Sequence, residues 1–156
     1  MQFENGLSAS FQVTGVGTAI IHEQPDLTPP PNDWDAPGPF DPNQSNRLVQ
    51  TDQPFHVHTK FKVTGMLAGV LTGQWKAQLY FEKYGQGEAA PGVYEQKVNH
   101  VLSTNQTYDI AISVPGNDLT PGLYKMALVV TFIGASGSPL PISGFEEIGP
   151  INVYQG

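Results

Sequence analysis

Apolar and polar side chains alternate along much of this chain with a period of two, which is the pattern of half-buried β-strands. The clearest case is 55–63, where apolar residues alternate with two histidines and two lysines. Segment 123–133 is apolar on both faces, which predicts a strand that is covered on both sides. The strands predicted in this way are 11–21, 55–63, 75–83, 93–101, 108–114, 123–133 and 151–154. No segment has a helical period of useful length, so the sequence predicts an all-β fold of about seven strands.

Two further features of the predicted strands concern their place in a sheet. Gly15 and Gly17 fall inside the long strand 11–21 and predict a bulge or kink there. Segment 93–101 is polar on both faces, as is typical of an edge strand.

A short turn carries a resemblance to a known superfamily. Residues 118–124 resemble the turn before the sixth strand of immunoglobulin-like and fibronectin-type-III-like domains. In those domains a tyrosine near the start of the strand bonds back to the turn, and the resemblance implies this role for Tyr124. Trp75 stands where such sandwiches often keep a core tryptophan. The resemblance therefore implies a single immunoglobulin-like antiparallel β-sandwich, without the antibody cysteine pair and without a particular function.

The length of 156 residues suits one domain over 1–156. Segment 24–46 contains seven prolines and predicts a long Pro-rich loop. The connections 65–73 and 134–150 are also predicted as loops, the first as a hairpin tip and the second from its prolines and glycines.

The charge balance limits the classes of partner. The chain has 7 basic and 14 acidic residues, a net charge of −7, which argues against nucleic acid and anionic membrane surfaces as ligands. The longest apolar stretch, 126–132, is too short to span a bilayer. The N-terminal residues do not resemble a signal peptide, so we expect a protein that is cytoplasmic or released without a leader. With no cysteine and no cofactor motif, no cofactor is expected.

His56 and His58 form an H-x-H pair on one face of the best predicted strand, which we call the histidine face. The two imidazoles lie roughly 7 Å apart along such a strand and can share one metal ion if a third ligand is supplied. Lys60 and Lys62 on the same face argue against a cation and form a basic stripe that suits an acidic partner. The alternatives are ordinary polar residues on a solvent-facing strand and pairing of the stripe with Glu82 or a similar neighbour across the sheet.

Loop 65–73 is unusually apolar for a hairpin tip, because it carries Met66, Leu67, Val70 and Leu71 between glycines. Exposed apolar clusters usually mark a binding surface. The alternative is a lid that folds over the end of the sandwich and joins the core.

Two aromatic residues of the Pro-rich loop, Trp34 and Phe40, are candidate anchors onto the sandwich or onto a partner. Neighbouring Asp and Asn residues suit the turns of such a loop.

The sequence favours a non-catalytic binding or assembly module that contacts a protein partner, with self-association into a homo-oligomer as one form. It contains no G-x-S-x-G, Walker or H-E-x-x-H motif, so the catalytic inventory is sparse. A small metal-dependent enzyme or small-molecule binder is the first alternative, using the histidine face or the loop end of the sandwich. Its acid–base candidates are Asp33, Asp35, Glu146 and Glu147. A carbohydrate-binding module is the second alternative, with Trp34, Phe40 and Tyr80 as its stacking residues.

Overall fold

The structure is a computed structural model that describes residues 1–5, 7, 9–16, 19–22, 47–85, 87–88 and 93–156. Within these residues the chain forms eleven β-strands and one short 3-10 helix, Met66–Gly69. The strands are β1 Gln2–Asn5, β2 Gln12–Gly15, β3 Ile20–His22, β4 Leu48–Gln50, β5 Phe55–Thr64, β6 Gly73–Lys83, β7 Gly87–Glu88, β8 Tyr94–Asn99, β9 Asn105–Val114, β10 Gly122–Gly134 and β11 Pro139–Tyr154. The predicted all-β class is confirmed. The larger strand number comes mainly from short strands that the sequence pattern does not mark.

Two sheets make up the fold. The seven-stranded sheet has the order β1-β11-β10-β6-β7, with β8 also pairing with β6 and β4 pairing with β11. In the four-stranded sheet, β2 and β3 follow one side of β5 and β9 follows the other. Every pairing among these strands is antiparallel except that of β4 with β11. Both sheets contribute buried side chains to one core, which makes the fold a sandwich.

Aromatic side chains fill the centre of the core. Trp75 of β6 is fully buried, and its ring lies 4.8 Å from Phe61 of β5 and 4.8 Å from Phe132 of β10, measured between centroids. Phe61 in turn stacks on Tyr108 of β9 at 5.2 Å. Edge-to-face and offset contacts of this kind add to the burial energy of each ring. The expectation that Trp75 belongs to the core is confirmed.

The predicted strand 11–21 is interrupted as its glycines indicate. β2 pairs with the second half of β5 and β3 with the first half, so both follow the same side of one strand. The break begins at Gly15, where a Cβ atom would lie 2.6 Å from the carbonyl oxygen of Met1. Only a glycine permits this close approach of two backbones. The edge position predicted for 93–101 is also confirmed, since β8 pairs with β6 alone among the described strands.

The prediction of a loop over 134–150 is wrong, because β11 begins at Pro139 and runs through this segment. Proline cannot donate to a sheet ladder, which is why the segment resembles a loop in sequence. Pro139 and Pro141 lie beside a register shift between Thr131 and Ile133 of β10, and Pro150 lies beside the other shift in this pairing. Irregular positions of this kind tolerate a missing N–H.

The turn before β10 makes the bond that the superfamily resemblance implies. The Tyr124 hydroxyl donates to the carbonyl oxygen of Thr120 at 2.7 Å, and the tyrosine ring is buried. Lys83 of the neighbouring strand lies over the same ring, 5.6 Å from its centroid. This corner holds the start of β10 against β6.

Candidate functional site

The connection 65–73 crosses from one sheet to the other at one end of the sandwich. It joins β5 of the four-stranded sheet to β6 of the seven-stranded sheet, and these two strands do not pair. The prediction of a hairpin tip is therefore wrong. A hairpin tip projects into solvent, whereas a connection that crosses between two sheets passes over the end of the core, which accounts for its apolar sequence.

The side chains of this connection divide between the core and the surface. Ala68 is fully buried, and Leu67 and Leu71 are partly buried against the core. Met66 is 81% exposed and Val70 is 69% exposed. The lid interpretation describes the first group, and the second group is the more exposed of the two.

Backbone hydrogen bonds hold the 3-10 helix in place. The Leu67 N–H donates to the carbonyl of Ser10 at 3.0 Å, and the Gly65 N–H donates to the carbonyl of Thr104 at 3.0 Å. Gly65 has a φ of 116°, and a Cβ atom there would lie 2.1 Å from the Ser10 oxygen. The helix is thus fixed to two neighbouring segments at a position that requires glycine.

A buried histidine connects this helix to the aromatic core. The Trp75 indole donates to Nδ1 of His100 at 3.1 Å, so Nδ1 is an acceptor and the ring is neutral with its proton on Nε2. That Nε2 lies 2.8 Å from the carbonyl oxygen of Ala68 and donates to it. The Tyr108 hydroxyl is 2.9 Å from the same Nδ1 and accepts the Val101 N–H. No sequence motif marks His100, because its role depends on partners that only the fold brings together, two of them 25 or more residues away.

The segment after β8 adds two more exposed apolar side chains at this end of the sandwich. Val101 is 48% exposed and Leu102 is 57% exposed. The segment meets the start of β6, since the His100 N–H donates to the Gly73 carbonyl at 2.9 Å. Gly73 also adjoins the end of β10, where its Cβ position is 2.2 Å from the Ile133 oxygen. We call the surface formed by these exposed residues the apolar end: Met66, Val70, Val101 and Leu102.

Among the segments that the structure describes, those that pass through the apolar end lack charged residues. The runs 5–22, 63–75, 98–108 and 126–145 contain no Asp, Glu, Lys or Arg. The 7 basic and 14 acidic residues all lie elsewhere in the sequence. The sequence alone shows that these four runs lack charge. Only the sheet topology shows that they come together at one end of the sandwich.

The histidine face is buried rather than solvent-facing. His58 is fully buried and His56 nearly so, which corrects the interpretation of both as residues on a solvated strand. His56 Nδ1 lies 3.0 Å from the Ser113 hydroxyl, and His58 Nδ1 lies 3.8 Å from a carboxylate oxygen of Asp109. The described residues contain no group of three or more His, Cys, Asp or Glu that could hold a metal ion. Metal binding by this pair stays a prediction.

The basic stripe has an acidic neighbour across its own sheet, but that neighbour is not Glu82. Lys60 is half-buried and Lys62 is exposed on β5, whereas Glu82 belongs to β6 in the other sheet. Across the β5–β9 ladder, Lys60 is opposite Asp109. The pairing with Glu82 fails because the sequence pattern does not show which strands share a sheet.

The acid–base candidates do not converge among the described residues. Glu146 accepts a bond from the Ala19 N–H at 3.0 Å, while Glu147 forms an ion pair with Lys125. Adjacent residues of an extended strand point to opposite faces, so these two carboxylates cannot share a substrate atom. Asp33 and Asp35 lie outside the described residues.

The aromatic candidates are only partly covered by the structure. Trp34 and Phe40 lie outside the described residues, as does the Pro-rich loop to which they belong. Tyr80 is exposed on the outer face of the seven-stranded sheet, where it lines a shallow groove of about 200 Å³ together with Phe145. This groove lies on a sheet face and not at the loop end proposed for a small molecule.

Comparisons with known proteins give no family for this chain. No family model matches it, and no curated protein matches its sequence. One solved structure with a likeness is a glycosyl hydrolase family 2 member from Bacteroides cellulosilyticus, with a TM-score of 0.40 and 16% identity. That match covers 65% of this chain and 13% of the hydrolase, so the chain spans only a small part of its length.

A second likeness is to a protein from Bordetella pertussis assigned as ApaA. Its TM-score is 0.33 at 13% identity, and the match covers 93% of this chain and 94% of that one. At these values neither likeness supports a functional inference. In the part of the chain that the structure describes, no helix has the length and apolarity that a membrane crossing requires.

Proposed function

We propose that this chain is a non-catalytic β-sandwich module that binds a protein partner through the apolar end. The observation that carries the proposal is the grouping of Met66, Val70, Val101 and Leu102, all exposed, at an end of the sandwich where the described segments carry no charge. Adjacent exposed apolar side chains are a common property of protein-binding surfaces. Burial of these side chains against a partner supplies the binding energy.

The hydrogen bonds beneath the apolar end favour the same role. The 3-10 helix that carries Met66 is bonded to Ser10 and, through His100, to the core. A surface that is already ordered loses little conformational entropy when it binds. Leu67 and Leu71 act as structural residues in this proposal, and Met66 and Val70 make the contact.

We assign the sandwich to the immunoglobulin-like type as part of the same proposal. The bond from Tyr124 to Thr120 and the burial of Trp75 support this assignment. In such sandwiches the loops cluster at the two ends, and one end commonly serves recognition. The apolar end would be the recognition end here.

The alternatives have weaker support. The described carboxylates Glu146 and Glu147 point to opposite faces, which does not favour acid–base catalysis. Carbohydrate binding is not favoured either, since Tyr80 alone among its proposed stacking residues is described. Contributions of Trp34 and Phe40 to a partner contact stay predictions.

Photo-cross-linking in the source cells tests this proposal. A benzophenone amino acid in place of Met66 is expected to give a discrete covalent adduct with one protein, identified by mass spectrometry. The matched control carries the same group at Leu48, an exposed apolar residue of β4 outside the apolar end. The proposal is overturned by no adduct from position 66, or by the same adducts from both positions.

A further inference from the structure

We infer that the partner of the apolar end is a second copy of this chain, docked end to end about a two-fold axis. The inference rests on the proposed function and adds the identity of the partner.

Charge is the first argument for self-association at this surface. Each copy carries a net charge of −7, so two copies repel each other when they approach in most orientations. A two-fold axis also brings each group near the axis close to the same group of the other copy. A charged residue there therefore lies beside an identical charge. In the described part of the chain, the apolar end contains no such residue and avoids this cost.

Other described surfaces do not share this property. On the outer face of the seven-stranded sheet, Lys76 is opposite Lys97 in the β6–β8 register, and Lys125 pairs with Glu147. The opposite end of the sandwich carries Asp118, whose carboxylate accepts a bond from the Tyr94 hydroxyl. A symmetric contact through either surface would place ionised groups near the axis.

The polar residues around the apolar end are neutral and can pair with their own copies. Gln74 donates its side-chain amide to Asn99 at 2.8 Å, and the Ser103 hydroxyl donates to the carbonyl of Asn105 at 3.1 Å. Amide and hydroxyl groups both donate and accept, whereas a carboxylate only accepts and an ammonium only donates. A rim of such groups around an apolar centre is the usual composition of a protein interface.

This arrangement has a consequence for the effect of salt. Apolar contact is not weakened by screening, while the repulsion between two acidic copies is reduced by it. The dimer should therefore become tighter between 50 mM and 1 M NaCl. An interface built on ion pairs would show the opposite trend.

Sedimentation equilibrium of the full chain tests the inference. The wild type is expected to form a dimer whose dissociation constant falls as NaCl rises. Met66→Glu combined with Val70→Glu brings four carboxylates to the interface and should weaken the dimer by roughly 100-fold or more. Leu48→Glu combined with Leu123→Glu is the matched control, since both residues are exposed and lie outside the apolar end. The control pair should leave the dimer intact, and Leu102→Glu is the replacement if the first pair fails to fold.

Several outcomes would overturn the inference. A monomer at every salt concentration would do so, as would a dimer that is insensitive to the Met66 and Val70 changes or that weakens with salt. Co-sedimentation of the monomer with neutral phosphatidylcholine vesicles would also do so, by assigning the surface to lipid. If the protein is monomeric but Met66 cross-links to a different protein, this inference fails and the proposed function stands. If that cross-link is also absent, both fail.

Discussion

The indole N–H of Trp75 and the carbonyl of Ala68 bind opposite nitrogens of the His100 ring, so one imidazole joins the core to the 3-10 helix. The Trp75 bond requires Nδ1 to be an acceptor, and the Ala68 bond requires Nε2 to be a donor. A neutral ring with its proton on Nε2 meets both requirements. His100 is therefore a structural residue whose neighbours lie directly beneath the apolar end.

Replacing His100 with alanine should destabilise the protein strongly. The change removes the partner of the Trp75 N–H and of the Ala68 carbonyl, leaves the Tyr108 hydroxyl with the Val101 N–H alone, and creates a cavity. Each buried polar group without a partner costs about 1–3 kcal/mol. We expect the free energy of unfolding in urea to fall by about 3–5 kcal/mol. The control is Asn99→Ala, which removes an exposed hydrogen bond and should cost less than about 1 kcal/mol. Equal losses for the two variants would contradict this role of His100.

Removing the hydroxyl of Tyr124 should have a smaller but measurable effect. Tyr124→Phe deletes the bond to the Thr120 carbonyl while keeping the ring that packs in the core. A typical hydrogen bond contributes about 1 kcal/mol, and we expect a loss of about 1–2 kcal/mol in thermal or urea unfolding. Tyr154→Phe, at an exposed position of β11, should change stability by less than about 0.5 kcal/mol. An unchanged stability in the Tyr124→Phe variant would show that the bond adds nothing to the stability of the corner.

Alkaline pH should destabilise the fold through two tyrosines. Burial raises the pKa of Tyr108 above its ordinary value of 10.0, although the Val101 N–H and Trp75 lower it in part. Burial and then the hydrogen bond to Asp118 raise the pKa of Tyr94 above the same value. A raised pKa in the folded state means that the folded protein holds these protons more tightly than the unfolded chain does. Their contribution is complete below pH 10 and is lost as pH rises above it.

The measurement is the urea midpoint between pH 8 and pH 11.5, together with tyrosine absorbance. Tyr94→Phe removes one of the two groups and should make the midpoint less dependent on pH. Tyr84→Phe changes an exposed tyrosine and serves as the control. A wild-type midpoint that stays constant above pH 10 would contradict the expectation.

A methyl group at position 65 should be poorly tolerated. Gly65 combines a φ of 116° with a Cβ position 2.1 Å from the Ser10 oxygen, so Gly65→Ala suffers both backbone strain and a clash with backbone. We expect a loss of about 3 kcal/mol or more in the free energy of unfolding. Gly137 has a φ of 82° with nothing within 4 Å of its Cβ position. Gly137→Ala should therefore cost only about 1–2 kcal/mol of strain. The difference between the stability losses of the two variants measures the cost of the close approach to Ser10. Equal losses would contradict such a cost.

The sequence predicts the strands that alternate and the residues whose surroundings are local. Trp75 and Tyr124 behave as expected because each sits in a recognisable strand or turn. It does not predict β11, because three prolines and the glycines of that segment hide its alternation, and their register shifts appear only in the pairing with β10. Which strands share a sheet is likewise not local information, so Glu82 is the wrong partner for the basic stripe and Asp109 is opposite Lys60 instead.

For the apolar end, too, the sequence predicts some residues and not others. The composition of 65–73 is enough to identify Met66 and Val70 as candidates, because apolar residues between glycines are unusual in a loop. It is not enough to separate them from Leu67 and Leu71, since that depends on which side of the 3-10 helix faces the core. Val101 and His100 carry no local signal at all.

The pairing of β1 with β11 sets an order for biosynthesis. Among the described strands, β1 pairs only with β11, through Gln2 opposite Phe145 and the residues that follow. On the ribosome, β1 emerges well before the residues that complete its ladder have been translated. Its backbone groups must stay exposed to water, or to a chaperone, until β11 has been translated. A nascent chain stalled before residue 139 would therefore lack an ordered first strand, and the seven-stranded sheet cannot be completed before β11 has been made.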